Sequence, residues 1–145
     1  MYRRSALKFL SCAMAGVALS RPTFAQQTVH IVEMRSGNIY VPEYLEVAVG
    51  DLVRFVNVSG GHNSESIAGM IPEGAQRWKS RLRETFDLEI NQVGVYGYKC
   101  TPHYSRGMVG LIVAGDPTVN LEAAKSVKTP QRAAAVFERL FAQIS

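Results

Sequence analysis

Lys99-Cys100-Thr101-Pro102-His103-Tyr104-Ser105-Arg106-Gly107-Met108, followed by the unbroken apolar run Val109 to Ala114, is the stretch that decides how this chain is read. The apolar run is a strand long enough for a sandwich core. Val95 to Lys99, entered through the Gln92-Val93-Gly94 turn, is a second strand. A thiol, an imidazole and a thioether therefore sit on one strand–loop–strand unit. Thiolate and thioether are soft donors that suit copper, and two imidazoles with one thiolate and a weak axial thioether make a blue-copper electron-transfer site. Cys100, His103 and Met108 supply three of those four donors, so a second histidine must come from elsewhere.

The chain has three histidines. His62 follows Gly60-Gly61 at a loop start and is free to point into a site, so it is assigned as the fourth donor. His30 lies inside a strand-like run next to apolar neighbours and reads as a surface or satisfied strand histidine. Blander explanations fare worse together than singly. A lone methionine is ordinarily core filler, and a Cys with a His three residues on is by itself a weak zinc half-site. Zinc wants a fourth strong donor, and neither a second thiol nor a spare histidine is at hand. A Cys–His nucleophilic pair needs an orienting third group and an oxyanion hole, and neither is identifiable. An oxidase or reductase with a second metal centre needs many more histidines than three.

Working outward, Thr28 to Met34 reads as a strand ended by Ser36-Gly37, and Leu45–Val49 and Asp51–Val58 as two more about a Gly50 turn. Ser59-Gly60-Gly61 is a loop, and Glu84 to Ile90 alternates as a strand. Short strands with glycine-rich turns predict an antiparallel sandwich or barrel. After Gly115-Asp116-Pro117 the pattern turns helical. A short helix is expected about Asn120–Ser126, and a longer one after Thr129-Pro130, with Thr129 as N-cap and proline in the first turn. Ala133, Phe137, Leu140, Phe141 and Ile144 make its apolar stripe, which must dock on the sandwich.

The length allows one domain. Residues 1–25 read as a cleaved export signal: Arg3, Arg4 and Lys8, an apolar run from Phe9 to Leu19, and a Thr23-Phe24-Ala25 cleavage site. The run falls short of the roughly 20 residues a bilayer span needs, so no membrane insertion is expected. The Arg3-Arg4 pair also fits a twin-arginine signal. Residues 26–116 are then the sandwich, and 117–145 are C-terminal helices packed on it. Removing Arg3, Arg4, Lys8 and Arg21 from the sixteen basic residues leaves twelve against twelve acidic ones, so nucleic acid is not an expected partner. Cys12 leaves with the signal, and Cys100 remains as a lone thiol in an oxidising compartment, a liability unless something occupies it. Arg77, Lys79, Arg81 and Arg83 alternate with Trp78, Ser80 and Leu82, which in an extended segment puts four cations on one face. That face suits either a solvated edge or steering toward acidic partners.

Gly61-His62-Asn63, Met70-Ile71-Pro72-Glu73-Gly74-Ala75, Lys99-Cys100-Thr101-Pro102-His103-Tyr104 and Gly107-Met108, with the two-helix C-terminus, resemble the cupredoxins, and among them the pseudoazurin branch. The resemblance implies a mainly β, cupredoxin-like Greek-key sandwich of eight strands with a C-terminal two-helix extension. It implies one type 1 copper ion, cycling between Cu(I) and Cu(II), near one end, with His103 at the exposed edge. It also implies a monomeric periplasmic electron carrier and not an enzyme, docking transiently near His103 with a copper nitrite reductase-like acceptor and a cytochrome-type donor. Asn63 is expected to tie the two ligand loops together and to hydrogen-bond near the Cys100 sulfur. Arg106 stands where the branch would carry an apolar residue; a cation there would raise the potential or favour acidic partners. Met34 is either a neighbour of His103 or a core residue. The competing class is a copper-trafficking or storage protein, against which one Cys, two His and one Met in a rigid loop argue.

Overall fold

Alternate residues of the strands Gly94–Lys99 (β7) and Val109–Ala114 (β8) face two different cores, so both strands are buried nearly end to end. Tyr96, Tyr98, Ile112 and Ala114 face the sandwich interior, while Val95, Val109 and Leu111 face the C-terminal helices. A strand covered on both faces needs an apolar residue at every position, which is why Val109–Ala114 shows no alternation. The computed structural model describes residues 26–145; the export signal read at residues 1–25 lies outside the described residues.

The remaining strands are Val29–Arg35 (β1), Ile39–Val41 (β2), Tyr44–Val47 (β3), Leu52–Asn57 (β4), Glu65–Ser66 (β5) and Phe86–Glu89 (β6). One sheet runs β2-β1-β4-β6 and the other β3-β8-β7-β5. β1 pairs parallel with β4, and β3 parallel with β8; the other pairings are antiparallel. The mainly β, two-sheet architecture is the expected one, but two pairings depart from the antiparallel expectation: β1 lies parallel beside β4 and β3 parallel beside β8, partners distant in sequence that no hairpin turn joins. Inward residues of the first sheet, Val32, Met34, Tyr40, Val53, Phe55 and Leu88, meet Tyr96, Tyr98 and Ile112 of the second sheet together with Trp78. Met34 is fully buried in this core. Tyr98 packs edge-on against Tyr40 at 4.8 Å and Phe55 at 5.1 Å between ring centroids, a preferred aromatic geometry.

Two helices follow, Leu121–Ser126 (α1) and Gln131–Phe141 (α2). Ala133, Phe137 and Leu140 are buried, and Phe141 and Ile144 pack half-buried beside them. The helix start differs from expectation: Pro130, not Thr129, occupies the N-cap position, and no side chain caps it. The proline's fixed φ sets the entry into the helix in place of a side-chain cap. β2 and β5 carried no separate sequence signal, being three and two residues long.

Candidate metal centre

Register alone places two of the donors. Lys99 pairs with Val109, so Cys100 and Met108 are the next residues out on facing strands, and the Cys100 N–H donates to the Met108 carbonyl at 3.0 Å. The two-residue period keeps Cys100 on the face of Tyr96 and Tyr98, and Met108 on the face of Ile112 and Ala114, all within the interior core. Both are fully buried. Between them Thr101–Arg106 is a 3-10 turn with Pro102 in its first turn, closed by Gly107 at φ 88°, a left-handed conformation that favours glycine. The His103 N–H donates to the Cys100 carbonyl at 3.2 Å, and the ring folds back over the thiol with Nδ1 3.4 Å from Sγ.

His62 enters from the loop after β4. Its N–H donates to Asn57 Oδ1 at 3.3 Å, and Asn57 Nδ2 donates to the Gly60 carbonyl at 3.1 Å. A Cβ on Gly60 would stand 2.7 Å from His62 Nε2, so the ring needs glycine beside it. His62 Nδ1 then lies 3.1 Å from His103 Nδ1 and 3.8 Å from the Cys100 sulfur. Among the described residues these three, two buried and His103 half-buried, form a cluster of the kind that can hold a metal ion. His62 is 3% exposed, while His103 is half-buried and reaches the surface.

Burial pushes the Cys100 thiol upward, opposed by the backbone N–H groups of Asn63 and His103 that face the sulfur. Burial also holds His62 below the usual histidine range, reinforced by the charge of His103 and opposed by the Arg35 carbonyl. Without a cation the pocket favours a neutral thiol and a neutral imidazole; a metal reverses the first preference by displacing the thiol proton.

Asn63 bridges the loop after β4 and the loop after Cys100. Its Oδ1 accepts the Thr101 N–H at 2.8 Å, and its Nδ2 donates to Thr101 Oγ1 at 2.9 Å and to the Ser80 carbonyl at 3.1 Å. Tyr40 O–H donates to the Asn63 carbonyl at 2.6 Å. Ser64 and Ser80 bond to each other's segments, and Trp78 Nε1 donates to Ser64 Oγ at 2.9 Å.

Residues 28–115 match the model of the copper binding proteins of the plastocyanin/azurin family. A pseudoazurin of Paracoccus pantotrophus is 36% identical over 138 residues, covering 93% of this chain and 95% of that one. The chain belongs to the pseudoazurin family of cupredoxins. A second pseudoazurin, from Methylorubrum extorquens, is 42% identical over 106 residues, covering 73% of this chain and 72% of its own. The crystal structure of pseudoazurin from Methylobacterium extorquens AM1 superposes with a TM-score of 0.77 at 38% identity, over 81% of this chain and 99% of that one.

As a pseudoazurin-family member the chain is a type 1 copper electron carrier working with redox partners, and not an enzyme. The pocket fits the ion. A triangle with sides of 3.1, 3.4 and 3.8 Å has its equidistant point about 2.0 Å from each corner. First-row metal bonds run from about 2.0 Å to nitrogen to about 2.3 Å to thiolate sulfur. His62 Nε2 is buried with no partner at hydrogen-bond geometry. A metal on Nδ1 would put the proton on Nε2 and fix the ring's tautomer.

His30 Nε2 lies 2.8 Å from Asp51 Oδ2, a satisfied strand histidine. The four-cation face is three: Arg77, Lys79 and Arg81 are exposed and alternate with buried Trp78 and Ser80, but Leu82 is 57% exposed. Arg83 turns off the extended path at φ 67° and lies alongside Gly61. The turn at 82–83 breaks the two-residue period. Arg106 is exposed at the end of the ligand loop. Thr101, Glu65 and Ser80 escaped sequence reading because their contacts span 17 to 38 positions. Among the described residues no helix is long and apolar enough to cross a membrane.

Proposed function

We propose that this protein is a periplasmic, monomeric electron carrier that delivers single electrons to a copper nitrite reductase or another respiratory oxidoreductase, having received them from a cytochrome-type donor. It is exported by the signal at residues 1–25, with the sandwich at 26–116 and the helices at 117–145 forming one domain. His62, Cys100, His103 and Met108 would hold the copper, and when bound the ion supplies a one-electron couple. The observation that carries this reading is the convergence of two imidazole Nδ1 atoms and one sulfur within 3.1–3.8 Å, with His103 alone of the three reaching the surface.

The chain's own residues do the rest. Cys100 gives the soft anionic donor, and its burial excludes water and oxidants. Asn63 holds the His62 loop to the Cys100 loop, so donor positions differ little between redox states. The exposed edge of His103 offers the shortest way out. Beside it an apolar hollow lined by Leu82 and Pro102 is flanked by Lys79 and Arg81. With Arg77, Arg83 and Arg106 exposed nearby in sequence, a small transient interface with an acidic partner is favoured, as redox encounters use.

The test is a Cu(II) titration followed by visible absorption, with Cys100→Ser alongside. Intense thiolate-to-copper colour at one equivalent, bleached by ascorbate and absent from the variant, is expected. A colourless protein that binds only Cu(I) would overturn the carrier in favour of trafficking. Electron transfer to a nitrite reductase that falls as salt rises, and more weakly in Lys79→Gln/Arg81→Gln, is the partner test; a salt-independent rate would remove the basic contacts.

A further inference from the structure

Glu65 lies outside the donor set, on β5, yet its carboxylate enters the bracing network. Oε2 accepts the Thr101 hydroxyl at 2.6 Å. Lys79 Nζ and Lys99 Nζ stand 3.7 and 3.9 Å from the same oxygen. β5 pairs Glu65 with Lys99 on β7, and an isolated bridge pairs it with Lys79 on its other side. Backbone pairing thus holds the carboxylate between two ammonium groups, and Lys99 is itself seated over the Tyr104 ring at 4.7 Å.

A threonine hydroxyl has one proton, and an ionised carboxylate can only accept. At 2.6 Å the Thr101 proton is therefore directed at Glu65, in a charge-assisted bond of the stronger kind. Thr101 Oγ1 is left to present its lone pairs to Asn63 Nδ2 at 2.9 Å, while the Thr101 N–H serves Asn63 Oδ1. Were the hydroxyl free to rotate, its proton could face the Asn63 NH2 and that bond would be lost. Asn63 is the residue before Ser64 and the one after His62, and its backbone N–H faces the Cys100 sulfur.

We infer that Glu65 is a positioning residue of the electron-transfer site: by holding the Thr101 hydroxyl proton it locks the Asn63 amide across the two ligand loops and thereby sets the hydrogen bonding at the Cys100 sulfur. This rests on the proposed ligand set. The plain alternative is a half-exposed ion pair with the two lysines, worth little and without effect on the metal.

The experiment uses the full copper-loaded protein with Glu65→Ala, Glu65→Gln and Thr101→Val. In the reduced, diamagnetic form, exchange of the Thr101 amide is followed by NMR; in the oxidised form, the thiolate-to-copper band and the reduction potential are measured. Glu65→Ala is expected to speed Thr101 exchange on the order of tenfold, one hydrogen bond's worth, and to shift band and potential together. Thr101→Val should move band and potential the same way with Glu65 intact. Glu65→Gln keeps an acceptor oxygen for the hydroxyl and should return exchange, band and potential toward wild type. Alanine and valine variants with wild-type band and potential would overturn the inference. So would a glutamine variant that behaves like alanine, because charge and not proton placement would then be the agent. A wild-type protein without the band overturns the ligand set itself, an outcome distinct from unmoved variants beside a coloured wild type.

Discussion

Replacing Asn63 by alanine should cost about 3 kcal/mol of folding free energy. The side chain makes three hydrogen bonds, to the Thr101 N–H, the Thr101 hydroxyl and the Ser80 carbonyl. A neutral hydrogen bond contributes about 1 kcal/mol net, and a buried group left without a partner costs about 1–3 kcal/mol. Asn63 is 2% exposed, so solvent cannot readily satisfy the Ser80 carbonyl and the Thr101 N–H; the space freed by truncation admits at most partial relief. On a fold of this size a loss of 3 kcal/mol lowers Tm by about 12 °C, at roughly 4 °C per kcal/mol. The assay is guanidinium chloride unfolding of the copper-free protein, because bound metal would add its own linkage to the native state. An unchanged m-value with a lowered midpoint assigns the loss to the native network. A loss below about 1 kcal/mol would refute the reasoning, since fewer than one of the three bonds would then contribute.

Two more outcomes follow from other parts of the fold. Asp51 accepts from the Thr28 N–H at 3.1 Å, the Ala48 N–H at 3.0 Å and faces His30 Nε2 at 2.8 Å, and the His30 contact, first among these, holds its carboxyl below the ordinary 3.8. A depressed folded pKa stabilises above the unfolded value and is lost as pH falls through the folded one; stability should therefore decline as pH drops below about 4 and decline less in Asp51→Asn, and parallel pH profiles of the two proteins would contradict this. Gly107→Ala should destabilise by about 2 kcal/mol, because a side chain at φ 88° is strained by roughly 1–2 kcal/mol and its Cβ would stand 3.2 Å from the Arg132 carbonyl oxygen on α2; thermal unfolding indistinguishable from wild type would show that the loop and helix yield.

Most of the centre was legible because its geometry follows from short-range rules. Cys100 and Met108 flank a strand–loop–strand unit, and the two-residue period determines that both face inward once either strand is placed. His62 was reached by elimination among three histidines, and the structure supplies the physical reason that His30 was not the choice: its ring is engaged by Asp51. What was not legible is long-range. Glu65 meets Thr101 across 36 positions, through a two-residue strand with no pattern of its own. The cation stripe failed at Arg83 because alternation presumes an extended chain, and a single residue in the left-handed region ends it.

The C-terminal helices belong to the same account, and they bear on why the site suits a carrier better than an exchange protein. The ligand loop stands between two cores. Cys100 and Met108 lie in the sandwich interior, whereas Val109 and, half-buried, Tyr104 lie in the cluster formed by Ala133, Phe137 and Leu140 of α2. Gly107 brings the loop backbone against Arg132 at the start of that helix. A loop gripped from the inner side by its donors' neighbours and from the outer side by a helix has few alternative conformations of comparable energy, because packed interiors are not continuously deformable. A protein that hands its metal to another must open its site, and the low-stability segments that do so have few buried contacts. Here the segment between Cys100 and Met108 is fastened at both ends and in the middle. That restraint opposes release of the ion and leaves the donors in place when only an electron leaves.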